Sequence, residues 1–135
     1  MPLLYLSTED TLPDAAQRVF HALSITQWEE RDSDNYPGGN YFLGKTGVFD
    51  VRVSRESPDD AFYDQFQLLV SIRTPPKLAT SPDEVAQLAA VELLRAGFQV
   101  AQEGGSTEKR ARWRVFSLDP AGTLKSAVVE RDVPP

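Results

Sequence analysis

The chain has 135 residues, no cysteine and a formal net charge of −6. Its length is that of one domain, residues 1–135, and the lack of cysteine excludes disulfides, thiol nucleophiles and zinc–thiolate sites. The acidic charge disfavours nonspecific binding to nucleic acid. The long apolar stretch Val85–Leu94 contains Gln87 and Glu92 and is too short to span a bilayer. We therefore expect a cytoplasmic protein that binds neither nucleic acid nor membrane.

The first half of the chain predicts one helix among several strands. Leu3–Leu6 has the pattern of a short strand, and Thr11 that of a helix N-cap, with proline and aspartate in the first turn. This helix is expected to end near Ser24. Polar turns then separate apolar, alternating segments. The extended segments predicted in this half are residues 25–31, 41–43, 48–55 and 62–72.

The second half predicts another helix and further strands. Ser81-Pro82-Asp83-Glu84 combines an N-cap, a proline at the first helical position and acidic residues at the positive end of the helix dipole. The helix should run to Ala96, with Gly97 as its C-cap. Strands are expected over residues 98–101 and 110–118, with an optional last strand over 124–130. Residues 131–135 are expected to form a frayed tail.

This order of elements, β-α-β-β-β-α-β-β with one optional strand at the end, predicts the α+β class. Short polar connections join successive strands, which favours antiparallel pairing. We expect a single domain with a mainly antiparallel β-sheet of about five to seven strands and two α-helices packed on one face.

Residues Gly39–Thr46 match the phosphate-binding P-loop pattern letter for letter. A working P-loop follows a buried strand and opens a helix, whose N-terminus attracts the phosphate. Here turn-forming residues precede Gly39, and a strand-like run follows Gly47. The context therefore predicts a turn into a strand. A small nucleotide- or ligand-binding protein that uses this loop remains an alternative.

Other motifs that could support chemistry are incomplete. Asp32-Ser-Asp34-Asn35 resembles the opening of a calcium loop, but Pro37 replaces the required glycine and Leu43 replaces the closing glutamate. His21 is the only histidine, and it lies beside the predicted core stripe of the first helix. Most carboxylates fall in predicted turns, where no pair is held at a fixed separation. We expect no catalytic residue, cofactor or bound metal.

The run of arginines near the C-terminus offers one possible binding face. On a predicted strand, Arg110, Arg112 and Arg114 share one face, and Ala111 and Trp113 share the other. This pattern is typical of a half-buried strand with a charged outer face. The alternative is that the three arginines bind a partner.

Residues 28–42 mix aromatic and acidic side chains, and interface cores are enriched in tyrosine and tryptophan. The same aromatic residues could equally belong to the core, and both interpretations stay open. Asp59 and Asp60, in the next predicted polar connection, add further negative charge. The candidate partner-binding residues are Trp28, Glu29, Glu30, Asp32, Asp34, Tyr36, Asp59 and Asp60.

The segment that contains Trp28-Glu29-Glu30-Arg31, Asn35-Tyr36-Pro37 and Tyr41-Phe42 is similar to segments of small bacterial toxin-immunity proteins. Those are acidic, cytoplasmic α+β domains that neutralise a toxin by binding it. The resemblance implies a stoichiometric inhibitor of a basic toxin or effector.

Charge along the chain favours the same hypothesis. Residues 1–67 carry a net charge of −7 and residues 68–135 a net charge of +1, an asymmetry that concerns partners rather than fold. We therefore expect a non-catalytic protein-binding domain whose partner has a basic surface. The main alternative is an intracellular scaffold or accessory domain that uses its open sheet face.

Overall fold

The structure, a computed structural model, describes residues 2–47, 49–60, 62–75 and 81–133. Residue 48, which begins a predicted strand, and the tail residues 134 and 135 lie outside the described residues. In chain order the helices and strands are β1 (Leu3–Ser7), α1 (Leu12–Ala22), β2 (Trp28–Asp32), β3 (Asn40–Lys45), β4 (Asp50–Arg55), β5 (Leu68–Arg73), α2 (Pro82–Arg95), β6 (Gln99–Glu103), β7 (Arg110–Leu118) and β8 (Leu124–Asp132).

The described strands form one antiparallel sheet in the order β2-β3-β4-β5-β1-β6-β7-β8. The α+β class is confirmed, but the sheet has eight strands rather than five to seven. The predicted order of elements had three strands between the helices, although four extended segments were predicted there, and four of the described strands lie between the helices. Hydrogen bonds between Thr46 and Phe49 close the turn that connects β3 to β4. The Phe49 N–H donates to Thr46 Oγ1 over 2.7 Å in this turn.

Both helices begin at the predicted N-caps. The Ser81 hydroxyl accepts a hydrogen bond from Glu84 N–H at 3.2 Å, and the Thr11 hydroxyl accepts one from Asp14 N–H at 3.5 Å. Side chains of both helices pack with one face of the sheet in the main hydrophobic core. We call this face the helix side and the opposite face the open side. Val19, Phe20 and Leu93 are fully buried in that core.

A second, smaller core lies on the open side. It contains Tyr5, Phe62, Phe66 and Trp113, all at most 5 % exposed. The predicted strand over residues 62–72 is wrong in its first part, since β5 begins at Leu68 and the Phe66 N–H donates to the Phe62 carbonyl in a turn. Phe62 and Phe66 are four residues apart, a spacing that occurs both in an alternating strand and in one turn of a helix. The sequence pattern therefore did not distinguish a strand from a turn.

The two edges of the sheet also differ from expectation. Asp32, predicted to open a turn, is the last residue of β2. Arg131 and Asp132, predicted to belong to the frayed tail, are part of β8, and the Val133 N–H donates to the Lys109 carbonyl at 3.0 Å. β2 and β8 are the edge strands. Among the described residues, no helix has the length and apolar character needed to cross a membrane.

Candidate functional site

The side chains of β2 alternate between the two faces of the sheet. Trp28 lies on the helix side, where its ring stacks on Phe20 of α1. Glu30 and Asp32 therefore also belong to the helix side, and Glu29 and Arg31 to the open side. All five residues of β2 are exposed. The structure thus divides the candidate residues of this strand into two groups.

Trp28 is partly core and partly surface. Its ring centroid is 5.6 Å from that of Phe20 and 6.1 Å from that of Phe42, but 39 % of the residue remains exposed. The contact with two buried phenylalanines holds the indole in place. A fixed, half-exposed indole offers apolar area at little cost in conformational entropy.

Trp28 also lines a surface groove of about 850 Å³ along α1. Sequence reasoning missed this groove, although residues 10, 14, 17 and 21 recur at helical spacing and mark a polar stripe. His21 is exposed and belongs to this polar stripe, beside the buried stripe of α1. Arg18 pairs with Asp10 there and donates to the Ala96 carbonyl. The residues that line the groove are Asp10, Asp14, Gln17, Arg18, His21, Ile25, Thr26, Trp28 and Ala96.

The carboxylates on the two faces of β2 have different partners. On the open side, Arg31 forms an ion pair with Glu29 at 2.6 Å, and the pKa of Arg31 is raised by this contact. On the helix side, Glu30 accepts a hydrogen bond from the neutral Asn40 side chain at 3.1 Å. None of the ion pairs among the described residues includes Glu30 or Asp32. The carboxylates of β2 that lack a direct ion pair are therefore on the helix side, where Arg55 is linked to Glu30 only through Asn40, whose Oδ1 accepts from Arg55 at 2.7 Å.

The turn after β2 directs Tyr36 away from Trp28. The Tyr36 ring lies 4.4 Å from that of Tyr41, which is on the open side. The Tyr36 hydroxyl accepts a hydrogen bond from Arg52 at 3.2 Å. Asp34 is exposed in the turn itself.

Asp59 and Asp60 form another separate group, in the connection between β4 and β5. Asp60 accepts a hydrogen bond from Phe62 N–H at 2.8 Å and so helps to shape the turn over the open side. Burial, with nearby Asp60, raises the pKa of Glu56, and the Ser57 N–H opposes this. The structure does not bring Asp59 and Asp60 together with the acids of β2.

The arginines of β7 share one face, as predicted, and it is the helix side. Glu130 on β8 pairs with Arg110 at 2.8 Å and with Arg112 at 2.5 Å, whereas Arg114 takes part in none of the described ion pairs. On the opposite face Trp113 is 1 % exposed, and its Nε1 has no hydrogen-bond partner in the described structure. The burial pattern is that of a half-buried strand, with two of its three arginines paired to carboxylates of β8. That the arginines bind a partner stays a prediction.

The P-loop lookalike does not have the geometry that phosphate binding needs. Residues 40–45 are strand β3, and Lys45 is its last residue rather than the start of a helix. Gly44 is buried, and a Cβ there would lie 2.6 Å from the Phe20 ring. This glycine therefore allows α1 to pack closely on the sheet.

Three further observations are relevant to chemistry. Burial, with the nearby acids Asp60, Glu56 and Glu103, raises the pKa of Tyr5, so its hydroxyl keeps its proton at neutral pH and cannot act as a base. Within the described ranges, no group of three or more histidine, aspartate or glutamate residues is arranged to hold a metal ion. A groove of about 430 Å³ near the end of α1 is lined mainly by aliphatic side chains, among them Leu23, Val85 and Leu88.

The edge strand β2 thus carries two carboxylates without a direct ion pair beside a half-exposed tryptophan that is held by aromatic contacts. In comparisons with protein families, characterised proteins and solved structures, the chain matched none of them.

Proposed function

We propose that this chain is a non-catalytic protein-binding domain, and that its partner presents basic side chains to the helix side of β2. One observation carries the proposal: a half-exposed, fixed Trp28 lies on the same face of β2 as Glu30 and Asp32, and neither carboxylate is in an ion pair among the described residues. Tryptophan in a fixed position is a common hot-spot residue of interfaces. The carboxylates select a basic partner and repel an acidic one.

The form of this function that we favour is a stoichiometric inhibitor of a basic toxin or effector, of the immunity type. Charge attraction can raise association rates to about 10⁸–10⁹ M⁻¹s⁻¹ at low salt, which suits an inhibitor that must act quickly. The groove beside Trp28, with Asp14 on its wall, extends the acidic surface from β2 to α1.

A scaffold domain that uses its open sheet face is the alternative. The segment with Phe62 and Phe66 covers part of that face, and Tyr36, Tyr41 and Arg52 contact one another on another part. These contacts cover part of the surface that such a scaffold would use. A nucleotide-binding protein finds no support in the position of Lys45 at the end of a strand.

A binding selection tests the proposal. The displayed library contains basic protein domains, with pI above about 9, and an equal number of acidic domains, with pI below about 6. We expect the selected domains to be basic and their association rate to fall steeply with added salt. Glu30→Lys should slow association at least about tenfold. Glu108→Lys, which changes net charge equally on an exposed turn far along the chain, is the matched control and should have little effect.

Enrichment of acidic domains would contradict the proposal. So would binding that Glu30→Lys and Glu108→Lys weaken equally, because the interface would then lie away from β2. Circular dichroism of both variants checks that each keeps the fold.

A further inference from the structure

None of the described strands pairs with the outer edge of β2. Two hydrogen bonds show which of its backbone groups point to this free edge. The Lys45 N–H donates to the Gln27 carbonyl at 3.1 Å, and the Ser33 N–H donates to the Gly39 carbonyl at 2.9 Å. Residues 27 and 33 therefore face β3. Backbone direction alternates along an antiparallel strand, so the N–H and C=O groups of Trp28, Glu30 and Asp32 point to the free edge.

The same three residues place their side chains on the helix side. A strand added at this edge would lie directly opposite Trp28, Glu30 and Asp32, and its facing side chains would be on the helix side too. Those side chains would meet one indole and two carboxylates. We infer that the free edge of β2 is a docking site for an extended basic segment of another protein, which pairs with it as an additional antiparallel strand.

The carboxylates of β2 predict that the added strand carries basic side chains at alternate positions. On the helix side of β2, neither Glu30 nor Asp32 is in an ion pair among the described residues, and Arg55 is linked to Glu30 only through the Asn40 amide. On the open side, Glu29 is paired with Arg31 at 2.6 Å. A matching strand therefore carries lysine or arginine at every second residue, toward the helix side. Its remaining side chains, opposite the Glu29–Arg31 pair, are neutral.

The charge also argues against a second copy of the chain as the occupant. Pairing two β2 strands antiparallel with all five residues in register would place Glu30 opposite Glu30. Like charges directly opposite each other destabilise a strand pair. The same register would set each Glu29 opposite an Arg31, but these two charges are already paired within each strand, so the contact between the two Glu30 side chains decides against self-association in this register.

The other edge of the sheet is less suited to a basic segment. On β8, Glu130 is already paired with Arg110 and Arg112, and Arg131 is paired with Asp64 at 2.5 Å. Val128, 61 % exposed, stands near the middle of that strand. An uncharged strand would pair there, but a basic one gains more at β2.

This inference rests on the proposed function, and peptides separate the two. The probe is a short peptide in which lysines alternate with threonines, and its binding is followed by backbone amide shifts in NMR spectra. We expect shifts at Trp28, Glu30 and Asp32. Methylating the lysine backbone nitrogens, which would face β2, should weaken binding at least about tenfold. Methylating the threonine nitrogens, which would point away, should change it less than about twofold, although charge and composition are the same.

Protein variants supply the second comparison. Glu30→Gln should weaken the unmethylated peptide severalfold, and Glu29→Gln, on the same strand but the other face, should not. If the two methylations weaken peptide binding equally while Glu30→Gln still weakens it, strand addition is wrong, but the proposed function stands. Shifts centred on β8, or no binding of the unmethylated peptide, would also overturn it. If neither Glu30→Gln nor Asp32→Asn changes the affinity for the peptide, the inference and the proposed function are both wrong.

Discussion

Trp28 stacks on Phe20 with ring centroids 5.6 Å apart and planes inclined by 22°. This contact fixes a half-exposed side chain of an edge strand to the fully buried face of α1. The position of the proposed binding residue therefore depends on the packing of α1 against the sheet, and changes in that packing should affect both stability and the β2 surface.

The two tryptophans of the chain should respond differently to a soluble quencher. Trp28 is 39 % exposed and Trp113 is 1 % exposed, so acrylamide should quench the fluorescence of Trp28 alone. Trp28→Phe is expected to remove the quenched component, and Trp113→Phe to leave it. Equal quenching of both tryptophans would contradict the burial of Trp113.

Gly44→Ala should destabilise the protein by about 1–3 kcal/mol, because extra atoms in a packed core force neighbours to move. The new Cβ would lie 2.6 Å from Phe20 and 2.9 Å from Ile25. Gly47→Ala, at a position with no heavy atom within 4 Å of a Cβ, is the matched control and should change stability by less than about 0.5 kcal/mol. Urea denaturation measures both, and a similar loss in the two variants would show that α1 does not pack on Gly44.

Ser81→Ala should cost about 1 kcal/mol of unfolding free energy through the loss of the α2 cap. Thr11→Ala should lower the unfolding free energy less, because its capping hydrogen bond is longer. Asp14 N–H donates to Thr11 over 3.5 Å, whereas Glu84 N–H donates to Ser81 over 3.2 Å. Chemical denaturation should show shifted midpoints with an unchanged slope. Unchanged stability of the Ser81 variant would mean that the hydroxyl does not cap the helix.

Glu56→Gln should change how stability depends on pH. Burial raises the pKa of Glu56 in the folded protein above its ordinary value of 4.5. Between the ordinary and the raised pKa, the folded state binds more protons than the unfolded state, so wild-type stability falls as pH rises through that interval. Glutamine does not titrate. The unfolding free energy of the variant minus that of the wild type should therefore increase from about pH 4 to pH 7, and a difference that does not vary with pH would refute the effect.

Several features could be predicted from sequence because they depend on near neighbours. The cap at Ser81 needs only the backbone of Glu84, three residues away. The shared face of Arg110, Arg112 and Arg114 follows from strand alternation alone. The P-loop lookalike was assigned to a turn and strand because its flanking residues do not form a helix. The turn at Phe62–Phe66 was missed, since its spacing also suits a strand.

The amino-acid sequence by itself determined the class of fold, the helix starts and the acidity of the first half. The tertiary structure decided which strands are edges and which charges are compensated, because both depend on pairings between distant residues. β1, the first strand of the chain, lies in the sheet between β5 and β6. Arg131 forms an ion pair with Asp64, which is 67 positions away in sequence. In β2, strand alternation alone puts Glu29 on the face of Arg31 and Glu30 on the face of Trp28. Packing against α1 then decides which of these faces is the helix side, because Trp28 stacks on Phe20.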